Sequence, residues 1–186
     1  MANGVAVMAM SLQWAAKSGD VAALRSLVAS GADVDAPGVS GERPLHVAAA
    51  SGWAEAIEAL VELGADKQAK TDEGGTPLHY AAQEGHVDAV KTLVELGADT
   101  EARSDDGATP LHYAAAYGQV VVISALADLG AGLGVRTYLG ETPVQLSLQL
   151  GHRQAARELR LLEWKETRTA AQTKVRYSPR SISHPC

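Results

Sequence analysis

The sequence predicts an all-α fold, a solenoid of stacked helix-turn-helix units with short β-hairpin connections. The first observation behind this prediction is a proline ladder with a step of 33 residues, formed by Pro44, Pro77, Pro110 and Pro143. The second is a pair of glycine ladders at the same step, Gly19 to Gly151 and Gly31 to Gly130. The third is the absence of Phe, which leaves Ala, Leu and Val as the interchangeable core material. A unit this short cannot bury its own apolar face, so five neighbouring copies must stack.

In the third copy, the start and end of each helix can be predicted from particular residues. Thr76 before Pro77 is a helix start, because the Thr hydroxyl can accept a bond from a free N–H and proline lacks a donor that would go unused. Gly85 ends that helix. Apolar residues then recur with helical spacing from Val87 to Val94, and Gly97 ends this second helix. The pattern predicts helices over 77–84 and 87–96, with equivalents one period away.

The other copies depart from this pattern in three places. Ser11-Leu12-Gln13-Trp14 in the first copy and Thr142-Pro143-Val144-Gln145 in the last are typical of terminal caps, which face water on one side. Arg43 replaces the capping Thr, which is expected to weaken that helix start by roughly 1 kcal/mol. The stretch 130–134 holds three glycines, so it is predicted to be the least rigid connection.

The motif Thr-Pro-Leu-His, followed by Ala-Ala, Gly, a second helix and Gly-Ala-Asp, closely resembles the ankyrin repeat over roughly residues 5–165. The resemblance implies two antiparallel helices per unit, with hairpins projecting at about a right angle. It also implies that partners dock on the concave side, against hairpin tips and first helices. It gives the motif His a hydrogen bond to its own Thr and to the adjacent loop.

The chain is accordingly divided into a repeat domain, 1–164, and a tail, 165–186. The repeats are placed at about 5–36, 40–69, 73–102, 106–135 and 139–164. The tail is basic and poor in apolar residues, so it is predicted to be disordered. Residues 1–150 carry 8 basic and 19 acidic side chains, net −11, while residues 151–186 carry 8 and 3, net +5. The disordered tail is expected to visit the acidic groove of the repeats loosely.

Charge and motifs exclude several functions. An acidic array repels phosphates, so no nucleic acid is expected on the repeats. No apolar run is long enough to predict a membrane span. No cofactor, metal or catalytic site is predicted: there is no phosphate loop, and His46, His79 and His112 are one helix-packing distance apart, too far to share a zinc ion. His86 and His152 are expected to be surface residues.

The predicted function is noncatalytic protein binding by an adaptor or scaffold. The alternative is a stoichiometric inhibitor or regulator of a partner enzyme such as a kinase. The expected partner is a protein with a basic or amphipathic segment, and the chain is expected to be a monomer. Because Cys186 is the single cysteine, a reducing compartment is expected, the cytoplasm or the nucleus.

The predicted partner-binding residues lie at hairpin tips and first-helix ends. They are Glu42, Asp72, Glu73, Gln83, Glu84, Asp105, Asp106, Tyr117, Tyr138, Leu139 and Leu150. The middle of this surface is acidic, and tyrosine at its C-terminal end is a residue that interfaces favour. The competing interpretation of Tyr138 and Leu139 is that they cover the glycine-rich connection.

Overall fold

The computed structural model describes residues 11–176, with side chains through residue 169. This part of the chain forms ten α-helices and one short 3-10 turn, and it contains no β-strand. The helices are α1 (residues 11–18), α2 (Val21–Ala29), α3 (Pro44–Ser51), α4 (Ala54–Glu62), α5 (Pro77–Glu84), α6 (Val87–Glu95), α7 (Pro110–Ala116), α8 (Val120–Asp128), α9 (Pro143–Gln149) and α10 (Arg153–Arg176). The predicted helices 77–84 and 87–96 are confirmed, the second ending one residue earlier.

The helices form two layers. The first helices of successive units contact one another in the order α3, α5, α7, α9, and the second helices follow the order α2, α4, α6, α8, α10. Each unit therefore packs on its neighbours in sequence, which is the solenoid arrangement that the repeat period predicts.

Equivalent positions of the units supply one continuous core between the layers. Leu45, Leu78 and Leu111 of the first helices are fully buried, and so are Leu60 and Leu93 of the second helices. Alanines fill the space between the two helices of each unit, which allows the helices to approach closely. The core needs no large aromatic side chain, in agreement with the composition.

The helix starts and ends follow the sequence prediction. Pro44, Pro77, Pro110 and Pro143 each occupy the first turn of their helix, and Gly52 and Gly85 end α3 and α5 in the left-handed conformation. The Thr142 side chain accepts from Gln145 N at 3.3 Å, but Thr76 and Thr109 make no such bond, and Arg43 likewise provides no side-chain cap for α3. Its backbone N–H still donates to His46 Nδ1 at 3.1 Å, so this start keeps one of its bonds.

The connections between units are tight hairpin loops. Backbone bonds close them from Thr71 N to Gly75 O, from Ser104 N to Ala108 O and from Thr137 N to Glu141 O, each at 3.0 Å. One such bond per loop holds the tip but does not build a strand. Neighbouring tips are also joined, because Asp105 N donates to Glu73 O at 3.1 Å and Tyr138 N donates to Asp106 O at 2.9 Å.

The structure corrects the prediction of disorder from Lys165, because α10 continues to Arg176. No proline or glycine lies between Gly151 and Pro179, and Ala, Leu, Glu and Arg favour the helix throughout. The helix is anchored by its packing on α8 and α9. Lys165 and Arg168 thus lie on a packed helix in the second-helix layer, and not on a tether beside the acidic surface. Residues 177–186 lie outside the described part, and the tail's predicted disorder concerns only them.

The glycine-rich connection 130–134 is held more firmly than its composition indicates. Ala131 and Leu133 are buried in the core, and Gly132 N donates to Glu101 Oε1 at 2.7 Å. Leu133 has no apolar counterpart at Thr100, one period earlier. The connection therefore has its own anchor.

In residues 11–176 we find no helix with both the length and the apolar character needed to cross a bilayer.

Candidate protein-binding face

The first helices and the hairpin tips form one continuous surface, which we call the first-helix face. A periodic row of mostly apolar side chains runs along it, one residue after each motif position: Trp14, Val47, Tyr80, Tyr113 and Leu146. Trp14 is exposed, and the others are half-buried. The sequence interpretation missed this row, although the 33-residue step was there to reveal it.

The motif histidines lie behind this row and join successive units. The Thr76 hydroxyl donates to His79 Nδ1 at 2.8 Å, and His79 Nε2–H donates to Ala108 O in the next loop at 3.1 Å. His112 repeats the arrangement with Thr109 and Glu141 O. The structural role that the resemblance implies for this His is confirmed. Since a carbonyl oxygen can only accept, Nε2 carries the proton.

Burial controls the charge of these rings. It lowers the pKa of His46 and of His79 to about 4 and also lowers the pKa of His112, because a charged imidazolium would lose its hydration there. The bonds to loop carbonyls oppose this effect but do not cancel it. The three histidines are neutral at physiological pH and serve the structure.

A second ladder connects the ends of the first helices. Trp53 Nε1–H donates to Lys17 O at 2.9 Å, His86 Nε2–H to Ala50 O at 3.1 Å, and Gln119 Nε2–H to Gln83 O at 2.7 Å. The expectation for His86 was a plain surface residue. His86 is half-buried and bridges two units. The 33-residue period indicates this role, because Gln119, one period later, is also a side-chain hydrogen-bond donor.

The predicted tip residues form one row. Asp72, Glu73, Asp105, Asp106, Tyr138 and Leu139 are all exposed and are joined from tip to tip by the backbone bonds described above. Asp72 N donates to Ser40 O at 3.1 Å, which extends the row towards the first unit. Glu42 is half-buried, and its carbonyl accepts from Gln13 Nε2–H at 3.0 Å. Its backbone therefore belongs to the structure of the first joint.

Asp106, in the acidic middle of the row, is held in its ionised form. Burial favours the neutral form of Asp106, but hydrogen bonds from Ser104 Oγ at 2.6 Å and Ala108 N at 3.2 Å together hold its pKa below the usual value. Asp72, Glu73 and Asp105 lie exposed in the same row. They can attract a basic segment of a partner.

The remaining predicted residues lie at the ends of neighbouring first helices. Gln83 Nε2–H donates to Glu84 Oε1 at 2.9 Å at the end of α5, and Tyr117 and Leu150 follow at the ends of α7 and α9. Tyr117 and Leu150 are each 54 % exposed, and Glu84 is exposed between them and the first units. These positions share a phase of the repeat, so they form a row parallel to the tips.

Tyr138 has a structural partner other than the expected one. Its ring lies against Gly107, where a Cβ would come within 2.9 Å of the ring, so glycine is required at that tip. The cover interpretation had placed the ring on the connection 130–134. Because the Tyr138 ring remains 71 % exposed, it is still available to a partner.

An apolar groove at the N-terminal end was not predicted. It has a volume of about 860 Å³ and is lined by Trp14, Val39, Val47, Ala50 and Tyr80 among others. Trp14 is 67 % exposed and Val39 is 87 % exposed. The sequence interpretation aligned Trp14 with the motif His and took it as part of a cap. The structure places Gln13 at that position, because Gln13 Nε2–H donates to Glu42 O as the motif histidines donate to their loops, and Trp14 follows it in the row that lines the groove.

The described residues offer no group of three or more His, Cys, Asp or Glu side chains that could hold a metal ion. Every buried side-chain nitrogen and oxygen in this part of the chain has a hydrogen-bond partner. The first-helix face thus combines an apolar end, an acidic middle and a second apolar end, which is a surface suited to recognition.

Comparison with known proteins agrees with the geometry. A family model described as ankyrin repeats (3 copies) matches residues 12–104 and again residues 96–163. The two overlapping matches span the five helix pairs from α1 to the first half of α10. A search of the curated proteins found no match.

Proposed function

Because the chain belongs to the ankyrin repeat family, whose repeats are generally protein–protein interaction modules and typically noncatalytic, we propose that it is an adaptor or scaffold that holds a partner protein on the first-helix face. The observation that carries the proposal is the N-terminal groove of about 860 Å³, next to the exposed acidic tips that begin at Asp72, whose backbone N–H donates to Ser40 O at 3.1 Å. Two exposed apolar side chains, Trp14 and Val39, line the groove.

The chemistry of the face indicates the kind of segment it holds. A Trp in a groove is a typical interface anchor, and a partner side chain of similar size would displace water from the groove walls. Asp72, Glu73, Asp105 and Asp106 follow along the tips, and all four are exposed. A partner segment with an apolar anchor followed by basic residues would satisfy both parts. We place this function in the cytoplasm or nucleus, where a chain with the single cysteine Cys186 needs no disulfide.

The test starts with affinity capture of the partner and mass spectrometry, followed by calorimetry with the purified partner. Trp14→Ala is expected to weaken binding by about 2 kcal/mol or more, the scale of an interface hot spot. Val39→Ser should weaken it less, and Val121→Ser on α8 is the matched control, since Val121 is 68 % exposed but lies on the second-helix layer.

The C-terminal end of the face is tested separately by Tyr117→Ala combined with Tyr138→Ala. If the partner spans the whole face, this double variant also loses about 2 kcal/mol or more. Unchanged affinity in both sets of folded variants would refute the proposed face.

The alternative, a stoichiometric inhibitor of a partner enzyme such as a kinase, would use the same surface. It is distinguished by assaying the captured partner's activity with and without this protein. Inhibition that saturates at one equivalent and is relieved by Trp14→Ala would favour the inhibitor, and unchanged activity in a stable complex would favour the adaptor.

A further inference from the structure

The exposed side of α10 carries a straight stripe of basic and aromatic side chains. The stripe consists of Arg153, Arg157, Arg160, Trp164 and Arg168, spaced by four, three, four and four residues. This spacing keeps all five on one line along a helix. All five are exposed, whereas Ala155, Ala156 and Leu159 on the opposite side are buried against the array.

The acidic residues of α10 lie off this line. Glu158, Glu163 and Glu166 all fall outside the stripe, and the Glu158 carboxylate accepts a hydrogen bond from Ser124 Oγ at 3.1 Å. This separation of basic from acidic side chains does not serve helix stability. Pairs of opposite charge at i and i+4 would stabilise the helix better.

Within the described part of the chain, no ion pair neutralises the stripe. The ion pairs found in the described part of the chain join Arg25 to Glu62 and Arg43 to Asp35, and no carboxylate in that part lies within pairing distance of Arg153, Arg157 or Arg160. The Arg168 guanidinium stacks over the Trp164 ring at 4.7 Å from its centroid. The Trp164 side chain is 54 % exposed, so a large part of the ring is open to a partner.

We propose that this stripe is a second binding surface, separate from the first-helix face, and that its partner is an acidic α-helix of another protein. Arginine holds carboxylates in a two-bond fork, which lysine cannot do. The charges extend over 15 residue steps, or about 22 Å of helix. Their steps of four, three, four and four residues keep them on the line along which a second helix can pack, with Trp164 as the apolar anchor.

Two other anionic surfaces fit the stripe less well. A helix that binds a membrane surface inserts a broad apolar face, whereas Ala155, Ala156 and Leu159 of α10 are buried in the array and its exposed apolar surface, at Leu161 and Trp164, is narrow. A nucleic acid extends its phosphates well beyond the stripe, towards residues 1–150 with their net charge of −11. An acidic helix can confine its carboxylates to the line of contact.

The test uses the full-length protein and a synthetic helical peptide with glutamates at alternating three- and four-residue spacing around one leucine. A second peptide with Gln in place of every Glu is the ligand control. Binding is measured by calorimetry and by the NMR signal of the Trp164 indole N–H, assigned with Trp164→Phe. The Glu peptide is expected to bind and to shift this signal, and the Gln peptide is not.

The double substitution Arg157→Gln with Arg160→Gln keeps good helix formers and should weaken Glu-peptide binding at least tenfold, the scale of two lost charge-assisted contacts. Trp164→Ala should weaken it as well. Lys91→Gln on α6 is the matched control, an exposed cation in the same layer whose loss should change nothing.

Three results would overturn the proposal. The first is equal binding of the Glu peptide by the double variant with its fold intact. The second is tighter, arginine-dependent binding to phosphatidylserine vesicles or to duplex DNA than to the Glu peptide. The third is concentration-dependent self-association of the protein that the double variant abolishes, which would make a second copy the occupant.

Discussion

At the scale of single residues, the buried histidines show how one side chain specifies both a helix start and a joint between units. His79 accepts from Thr76 within its own unit and donates to Ala108 in the next. The fifth unit has Gln145 at this position, and its Oε1 accepts from Thr142 N at 2.9 Å. The chain itself thus shows that glutamine can replace the first of the two functions.

This comparison predicts how stability depends on pH. The pKa of His79 is about 4 in the folded protein and about 6.5 in an unfolded chain. The unfolded state therefore binds the proton first, and the free energy of unfolding falls as pH drops from 6.5 towards 4. The slope from this group approaches about 1.4 kcal/mol per pH unit. His46 adds a similar slope, because its pKa is also about 4.

His79→Gln should remove one of these contributions. At pH 7 the variant is expected to be less stable by about 1 kcal/mol, the value of one lost hydrogen bond, because each glutamine at the equivalent positions keeps one of the two bonds: Gln145 accepts from Thr142 N, and Gln13 donates to Glu42 O. At pH 5 the difference should shrink or reverse, because glutamine does not titrate. Urea unfolding of parent and variant at both pH values measures this, and an unchanged difference between them would contradict the assignment.

At the scale of elements, the outcome for α10 shows where composition misleads. Few apolar residues follow Leu162, and the sequence therefore predicted disorder from Lys165. A helix that is already packed on α8 and α9 continues by adding one backbone bond per residue, and nothing stops it before Arg176. The packed start lies in another part of the chain from the residues it supports, so local composition could not reveal it.

For the first-helix face, local sequence signals predicted the elements but not the contacts between units. Proline and glycine ladders predicted its helices and tips, because those residues act through local backbone geometry. The groove around Trp14 and Val39 was missed, since its walls come from three successive units and become visible only when the units stack. The contact of Tyr138 with Gly107 was likewise not foreseen by either interpretation of Tyr138, because Gly107 lies one repeat away.

The connection 130–134 gives the prediction at this scale. Its glycines still predict that residues 135–165 exchange their amide hydrogens before residues 71–100. Leu133→Ala should enlarge that difference and cost about 2 kcal/mol or more, because Leu133 is buried at 3 % exposure. Thr100→Ala, one period earlier and half-buried, is the matched control and should change little. Lower protection in residues 71–100 of the parent would contradict the weak-joint prediction.

At the scale of the whole molecule, the array behaves as a line of similar units, and one buried position allows this to be measured. Leu60, Leu93, Leu126 and Leu159 are equivalent residues of four successive second helices, and each is completely buried. Changing any one of them to Ala removes the same atoms from the same environment. The local cost should be about 2–5 kcal/mol in each case.

The four variants are expected to differ in which neighbouring units they destabilise. Each unit is stabilised by its own contacts and by those with its nearest neighbours. Leu159→Ala affects a unit with one neighbour, so residues 143–169 should lose hydrogen-exchange protection while residues 44–95 keep theirs. Leu93→Ala affects a unit with a neighbour on each side, so it should weaken protection in both directions and broaden or split the unfolding transition in urea. Leu60→Ala and Leu126→Ala should spread their losses towards the nearer end. Uniform loss of protection along the chain in all four variants would instead mean that the five units unfold as one cooperative block, with coupling between neighbours much stronger than the stability of any single unit.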